Sequence, residues 1–291
     1  MSDSTPFRCG AAARERGDPL SATAAPATGY LLVEHGGPWP KGALADLDDP
    51  AGPELAARAR RMGARPLLIR RHGRAAATGA PAIFAFVNSE TRQVSWGTYR
   101  DLGEILEHDW SQGFAMNQPI YLVCTHGRHD RCCAIAGRPV ARELAELRPD
   151  HSWECSHLGG DRFAANVLVL PHSLYYGYVG PLDAGSVVAA TERGDVRLSL
   201  LRGRSTDPAP VQAARAAAYE ETGLRGIDAF TVMSSERVAP ANWRITLAGS
   251  GLTLQVDVVA HRVPDQRFTC AHERPVTMVE HRAERVSALD A

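Results

Sequence analysis

Between positions 124 and 155 the chain carries four of its six cysteines, Cys124, Cys132, Cys133 and Cys155. His126 and His129 are interleaved with them, and His157 and Asp161 follow. Thiolate and imidazole are donors that soft and borderline metals prefer, and no other stretch of the chain is so dense in them. The first segment, YLVCTHGRHDRCC, spaces Cys124 and Cys133 as C-x8-C. That is longer than the C-x2-C of a zinc finger or a dithiol redox site, and it lets the backbone wrap a centre larger than one tetrahedral ion. A [2Fe–2S] cluster has that size, and the intervening loop, with Arg128, Arg131 and its backbone N–H groups, can face anionic sulfides. The second segment, WECSHLGGDRF, sets Cys155 and His157 two apart at the end of a strand-like run, hence on one face. Gly159 and Gly160 then permit a tight turn that folds Asp161 back toward the same point.

Composition narrows the chemistry. The chain has 291 residues and a net charge of −1, with no block of like charge, so nothing marks a nucleic-acid partner. Among its 32 Lys and Arg residues the sole lysine is Lys41, between Pro40 and Gly42, which excludes a phosphate-binding P-loop. Schiff-base and Ser-x-x-Lys mechanisms would have to use that same turn residue. No GxGxxG string precedes a helix, so a doubly wound dinucleotide site has no support. No apolar run approaches the ~18 residues of a membrane helix, and the opening MSDSTPFRCGAAARERGD lacks the apolar core of a signal peptide. The expectation is a cytoplasmic protein without a membrane span, in which cysteines serve metal or redox chemistry rather than a disulfide framework. The heavy use of Arg, Ala, Gly and Pro is that of a GC-rich bacterial genome.

The elements that must position these donors follow from apolar periodicity and turn residues. Strands are expected at 30–34, 66–70 and 82–87, with helices at 51–61 and 99–110. The same order then returns. A strand at 119–124, a polar loop, a helix from about 138 to 147, strands at 151–155, 166–170 and 175–179, and a helix at 184–192 make a second unit. This reading gives an α/β fold of tandem thioredoxin-like domains, each a mixed sheet flanked by helices, over 1–113 and 114–201. Residues 202–210 (RGRSTDPAP) read as a linker, 211–222 as an alanine-rich helix ended by Gly223, and 252–263 as a strand. Residues 202–291 are thus expected to form a linker and a small α+β region, either a third domain or an edge extension of the second.

The strings CTHGRHDRCC and CSHLGGDRFAANVLVLP, with the following YYGYVGPLDA and the earlier RGDPLSATA and LLVEHGGPWPKGAL, resemble the sucrase/ferredoxin-like family across most of 9–190. The resemblance implies a thioredoxin-like ferredoxin domain. Members of the eukaryotic type hold a [2Fe–2S] cluster with two cysteines of a C-x8-C motif and two histidines of an H-x3-H motif. Carried over, these positions are Cys124 and Cys133, then His157, and lastly Asp161 where the family has histidine. The fourth ligand is therefore either Asp161, through oxygen, or Cys155, as a third thiolate; thiolate suits iron–sulfur chemistry better. The implied function is electron transfer with a partner protein that acts as reductase or acceptor.

Other readings use the same residues. Cys124 or Cys133 could be an attacking thiolate that Cys155 resolves, and the donors could equally close around structural zinc. No pair of carboxylates is spaced as acid and nucleophile, so glycoside hydrolysis has no physical support. Cys9 and Cys270 read as small buried hydrophobes, and Cys132 as packing or an accessory thiol beside Cys133. His126 and His129 read as solvated or loop-bracing residues, and Arg162, Phe163 and Asn166 as loop braces. Tyr175, Tyr176 and Tyr178 read as sheet packing, and Trp39 and Trp153 as core aromatics.

Overall fold

The apolar run GYLLVE has no polar alternation, as a strand covered on both faces requires. In the computed structural model, which describes residues 6–73, 81–115 and 118–289, it forms β1 (Gly29–Glu34) at the centre of the first unit. A short helix precedes it, α1 (Cys9–Arg16), closed by Gly17 in the left-handed region. After β1 the chain crosses through α2 (Ala51–Arg61) to β2 (Ala64–Arg70), parallel to β1. It then adds β3 (Ala82–Asn88) antiparallel to β1, β4 (Gln93–Tyr99) antiparallel to β3, and α3 (Leu102–Glu107). A two-residue strand, β5 (Phe114–Ala115), pairs with β4.

The second unit repeats this plan. β6 (Ile120–Cys124), buried along its whole length, leads through α4 (Arg131–Leu147) to β7 (Ser152–Cys155), parallel to β6. β8 (Val167–Leu170) and β9 (Leu174–Tyr176) follow antiparallel, then α5 (Ala184–Glu192). The spatial orders are β2-β1-β3-β4 and β7-β6-β8-β9, the same 2-1-3-4 arrangement twice. This is the tandem thioredoxin-like pattern expected from the sequence, and no residue-level repeat betrays it. β2 and β7 also pair with each other, Ile69 with Cys155 and Arg70 with Glu154, so the two units share one ten-stranded mixed sheet. Glu154 clasps that seam. Its carboxylate accepts from Arg70 Nε at 2.8 Å and Thr125 Oγ1 at 2.9 Å, and meets His72 Nδ1 at 2.7 Å.

Three expectations are corrected. Residues 202–204 are not linker: β10 (Leu201–Arg204) pairs with β9 at the edge of the sheet, and Arg202 is fully buried. Its side-chain partners, distant in sequence, are what place it there. The helix expected over 99–110 is shorter: Tyr99 is the last residue of β4, paired with Ala82, and α3 starts only after Asp101 caps it by accepting from Gly103 N–H. Helix α4 begins seven residues earlier than expected, at Arg131, where Asp130 accepts from Cys132 N–H at 2.8 Å. Cys132 and Cys133 therefore open a helix instead of ending a loop.

Beyond β10, α6 (Ala209–Thr222) ends at Gly223 as its sequence indicated. Four antiparallel strands follow in order: β11 (Thr231–Ala239), β12 (Asn242–Gly249), β13 (Leu252–Gln266) and β14 (Val276–Leu289). They form their own sheet rather than an extension of the first. Yet their apolar face is not independent: Ile245, Leu247, Leu254 and Val256 share one buried cluster with Ala214 and Tyr219 of α6 and with Val140 and Leu144 of α4.

Candidate metal centre

The parallel pair β6 and β7 brings Cys124 and Cys155 into register at the carboxyl edge of the sheet, the edge at which open α/β sheets bind ligands. From Cys124 the chain turns at once. Thr125 N–H donates to Cys155 O at 3.2 Å, and His129 and Asp130 N–H both donate to His126 O, returning the backbone into α4. The first turn of α4 then delivers Cys133 beside Cys124. Gly137, one turn on, permits this approach, because a Cβ there would collide with the Cys124 carbonyl oxygen.

From Cys155 the other segment is stitched to the first unit, with Ser156 N–H donating to Leu68 O and Arg65 Nη2 donating to His157 O at 2.9 Å. Gly159 and Gly160, at φ of 87° and 75°, reverse the chain. Asp161 thereby returns to His157, with Oδ1 at 3.1 Å from Nδ1. The reversal is held from below by Arg202, whose Nη1 donates to Gly159 O at 2.9 Å and Asn166 Oδ1 at 2.7 Å, while Asn166 Nδ2 donates to Gly160 O at 2.9 Å. Burial lowers the Arg202 pKa to about 10, and no carboxylate lies within ion-pairing distance of it among the described residues.

The donor atoms converge. Cys133 Sγ lies 3.5 Å from Asp161 Oδ1 and 4.0 Å from His157 Nδ1. Cys124, Cys133 and His157 offer ligand atoms within 4.8 Å of one another, and so do His129, His157 and Asp161, with His157 common to both groups. The His129 ring stacks on His157 at 3.6 Å, so His129, read as a loop brace, belongs to the site. Both sulfurs are buried, whereas the His157 side chain keeps 17% exposure and is the open edge of the group.

The two thiols are unequal. The neighbouring Cys133 thiol, with His157 and the N–H of His126, holds the Cys124 pKa well below the ordinary thiol value, while Cys124 and burial push that of Cys133 up. Its place at the N-terminus of α4 favours negative charge on Cys133 once a cation replaces its proton.

Cys155 is not brought into either group. It is fully buried in the apolar cluster with Leu32, Ile69, Leu122 and Leu168, and burial pushes its thiol up. Of the two residues expected to complete the set, Asp161 rather than Cys155 lies beside Cys133 and His157, and His129 is next to it. His126 is buried against the edge of Trp39, and neither of its ring nitrogens has a hydrogen-bond partner among the described residues. Arg128 and Arg131 point to solvent instead of to the sulfurs. Asp130, capping α4, was the sequence signal that would have put Cys133 in a first helical turn.

A family model described as sucrase/ferredoxin-like matches residues 20–203, which span both units of the ten-stranded sheet and every donor named so far. The chain belongs to the sucrase/ferredoxin-like family. It is also similar, at 29% identity over 82 residues, to Altered inheritance of mitochondria protein 32 of Meyerozyma guilliermondii, covering 25% of this chain and 29% of that protein's length. Among solved structures it is similar to the thioredoxin-like [2Fe–2S] ferredoxin of Aquifex aeolicus, at 18% identity and a TM-score of 0.28 over 32% of this chain and 97% of the other. A cysteine-to-serine variant of that ferredoxin matches at 19% identity with a TM-score of 0.26, over 29% and 97% of the two chains. Among the described residues of this family member, no helix is long and apolar enough to cross a membrane.

Proposed function

We propose that this member of the sucrase/ferredoxin-like family is an electron-transfer protein that holds a [2Fe–2S] cluster through Cys124, Cys133, His157 and Asp161. The observation that carries the reading is the convergence, at one sheet edge, of two buried sulfurs with an imidazole and a carboxylate from a separate segment. That donor set suits iron: two soft thiolates, one borderline nitrogen and one oxygen. Bound there, the cluster would supply a one-electron couple.

The chain's own residues do the rest. Cys124 is already biased toward thiolate, and the α4 N-terminus offsets negative charge at Cys133. Arg202 and Asn166 fix the turn that carries His157 and Asp161. Neutral imidazole in place of thiolate raises a cluster's potential, while the carboxylate of Asp161 works against that rise. His157, the most exposed of the four donors, is the edge at which a redox partner protein would exchange electrons.

The test is visible and EPR spectroscopy, with iron and sulfide analysis, on the wild type beside Cys155→Ala and Asp161→Ala. Wild type and Cys155→Ala are expected to give the same thiolate-to-iron bands, and Asp161→Ala to lose or shift them. Anaerobically reconstituted wild type without iron and sulfide would remove the proposal, and bleaching by Cys155→Ala alone would transfer the fourth position to Cys155.

A second reading has one observation in its favour, the closeness of the Cys124 and Cys133 sulfurs, within 4.8 Å, at a helix N-terminus, which is where a reactive dithiol would sit. In that reading the two thiols lose two electrons and two protons to an oxidised dithiol partner and form a disulfide. Reversible loss of two thiols in iron-free protein, absent from Cys124→Ser, would favour it.

A further inference from the structure

Cys132 follows the helix away from its neighbour, since successive residues on a helix point about 100° apart. Its sulfur lies 3.5 Å from that of Cys270, in the connection between β13 and β14, and Cys270 Sγ lies 3.5 Å from that of Cys9, the first residue of α1. Cys132 and Cys270 are 138 positions apart and Cys9 and Cys270 261, so three remote segments meet at their thiols. The carboxylate of Asp130 stands beside them, both oxygens 3.7 Å from Cys9 Sγ. All four ligand atoms fall within 4.8 Å of one another.

We propose that Cys9, Cys132 and Cys270, with Asp130 as the fourth donor, form a second metal site that takes zinc and is separate from the one above. Zinc–sulfur bonds of about 2.3 Å in a tetrahedron set sulfurs about 3.8 Å apart, close to the spacing already present here. Asp130 is the second observation. It is 2% exposed, and among the described residues no cationic side chain pairs with it; its oxygens accept only from Cys132 N–H, Cys270 N–H at 2.6 Å and Thr269 Oγ1 at 2.9 Å, besides the Cys9 thiol. A buried carboxylate without a cationic side-chain partner, set beside three thiols, is a donor group whose charge a bound cation would offset. The N–H groups of Cys9 and Gly10 at the start of α1 point at the sulfurs of Cys270 and Cys132, the arrangement that suits metal-bound thiolate.

A disulfide would not serve the same three residues. It joins two sulfurs at about 2.05 Å and leaves the third thiol and the carboxylate without a partner. Zinc binding instead displaces the thiol protons to solvent and engages every donor. The site shares no ligand with the Cys124, Cys133 and His157 group, so it stands or falls apart from the electron-transfer proposal. Its consequence is structural. A metal there clips α1 and the β13–β14 connection to the first turn of α4, closing very long loops one residue before Cys133.

The test is elemental analysis of the full chain purified under anaerobic, reducing conditions, together with cobalt(II) titration. Wild type and the double variant Cys124→Ser/Cys133→Ser are expected to hold about one zinc per chain, and Cys270→Ser to lose it. The double variant, stripped of metal, should develop tetrahedral thiolate–cobalt bands on titration with cobalt(II), and zinc should erase them. This second measurement leaves the three thiols intact and does not depend on how Cys270→Ser folds. Absence of both zinc and cobalt bands, retention of zinc by Cys270→Ser, or a Cys9–Cys270 disulfide in anaerobically alkylated protein would each overturn the site.

Discussion

Arg202→Met removes a buried cation that braces the turn carrying His157 and Asp161. The guanidinium satisfies three acceptors distant in sequence, Gly159 O, Asn166 Oδ1 and Thr23 O, and its Nε also reaches Thr23 Oγ1 at 3.1 Å. Leaving a buried acceptor without a donor costs about 1–3 kcal/mol, so three of them give roughly 3–9 kcal/mol. Against this stands the relief of no longer burying a charge that, among the described residues, has no carboxylate in ion-pairing contact, a penalty of several kcal/mol. The expected net loss is about 3 kcal/mol, or roughly 5 °C in Tm at this chain length. Thermal and urea unfolding of the metal-free protein measure it. Because the turn loosens with the brace, the variant should also hold less iron after reconstitution than the wild type. Unfolding within about 0.5 kcal/mol of wild type, the range of an ordinary surface substitution, would falsify the idea that Arg202 holds the turn.

Glu154→Gln should destabilise the seam between the two units by about 2 kcal/mol at neutral pH, since the ion pair with Arg70 is lost and one of the two accepting oxygens becomes an amide NH2. Burial pushes the Glu154 carboxyl up, but the donors His72, Arg70 and Thr125 outweigh it and hold it below its ordinary 4.5. Its stabilisation is therefore complete above the unfolded value and lost as pH falls through the folded one. Urea midpoints across that acid range should fall more steeply for the wild type than for the variant, and parallel curves would contradict the assignment. Gly137→Ala should lower stability by about 2 kcal/mol despite the better helix propensity of alanine, because the new Cβ pushes α4 off the Cys124 carbonyl. A variant as stable as the wild type, with its iron content unchanged, would count against the close packing of α4 on β6. Gly160→Ala combines a left-handed backbone with a collision against the Arg202 guanidinium, so it should cost at least as much as the loss of a left-handed glycine alone, about 1–2 kcal/mol. Circular dichroism melts check it, and a gain in stability would refute it.

What the sequence determined by itself was local. The uninterrupted apolar runs of β1, β6 and β8 define buried strands whatever surrounds them, donor type and density mark the two segments around Cys124 and Cys155, and the family resemblance implies Cys124, Cys133 and His157 among them. The double glycine before Asp161 already implied a reversal, and φ at both positions realises it. The tertiary structure decided what depends on direction and on distance along the chain. Whether Cys133 or Cys132 faces Cys124 depends on where α4 begins, and one residue of offset turns a side chain to another side of the helix. Cys155 ends β7 in register with Cys124, yet its sulfur falls outside both donor groups, a separation that depends on how the strands and turns pack and not on spacing. Arg202 reads as linker because its partners, Gly159, Asn166 and Thr23, lie 36 to 179 positions away. Cys9 and Cys270 look like isolated small hydrophobes until folding closes the 261 positions between them. Such pairings arise only when the packing of whole sheets offsets the entropy of closing long loops, and that balance is written across the entire chain rather than in any window of it.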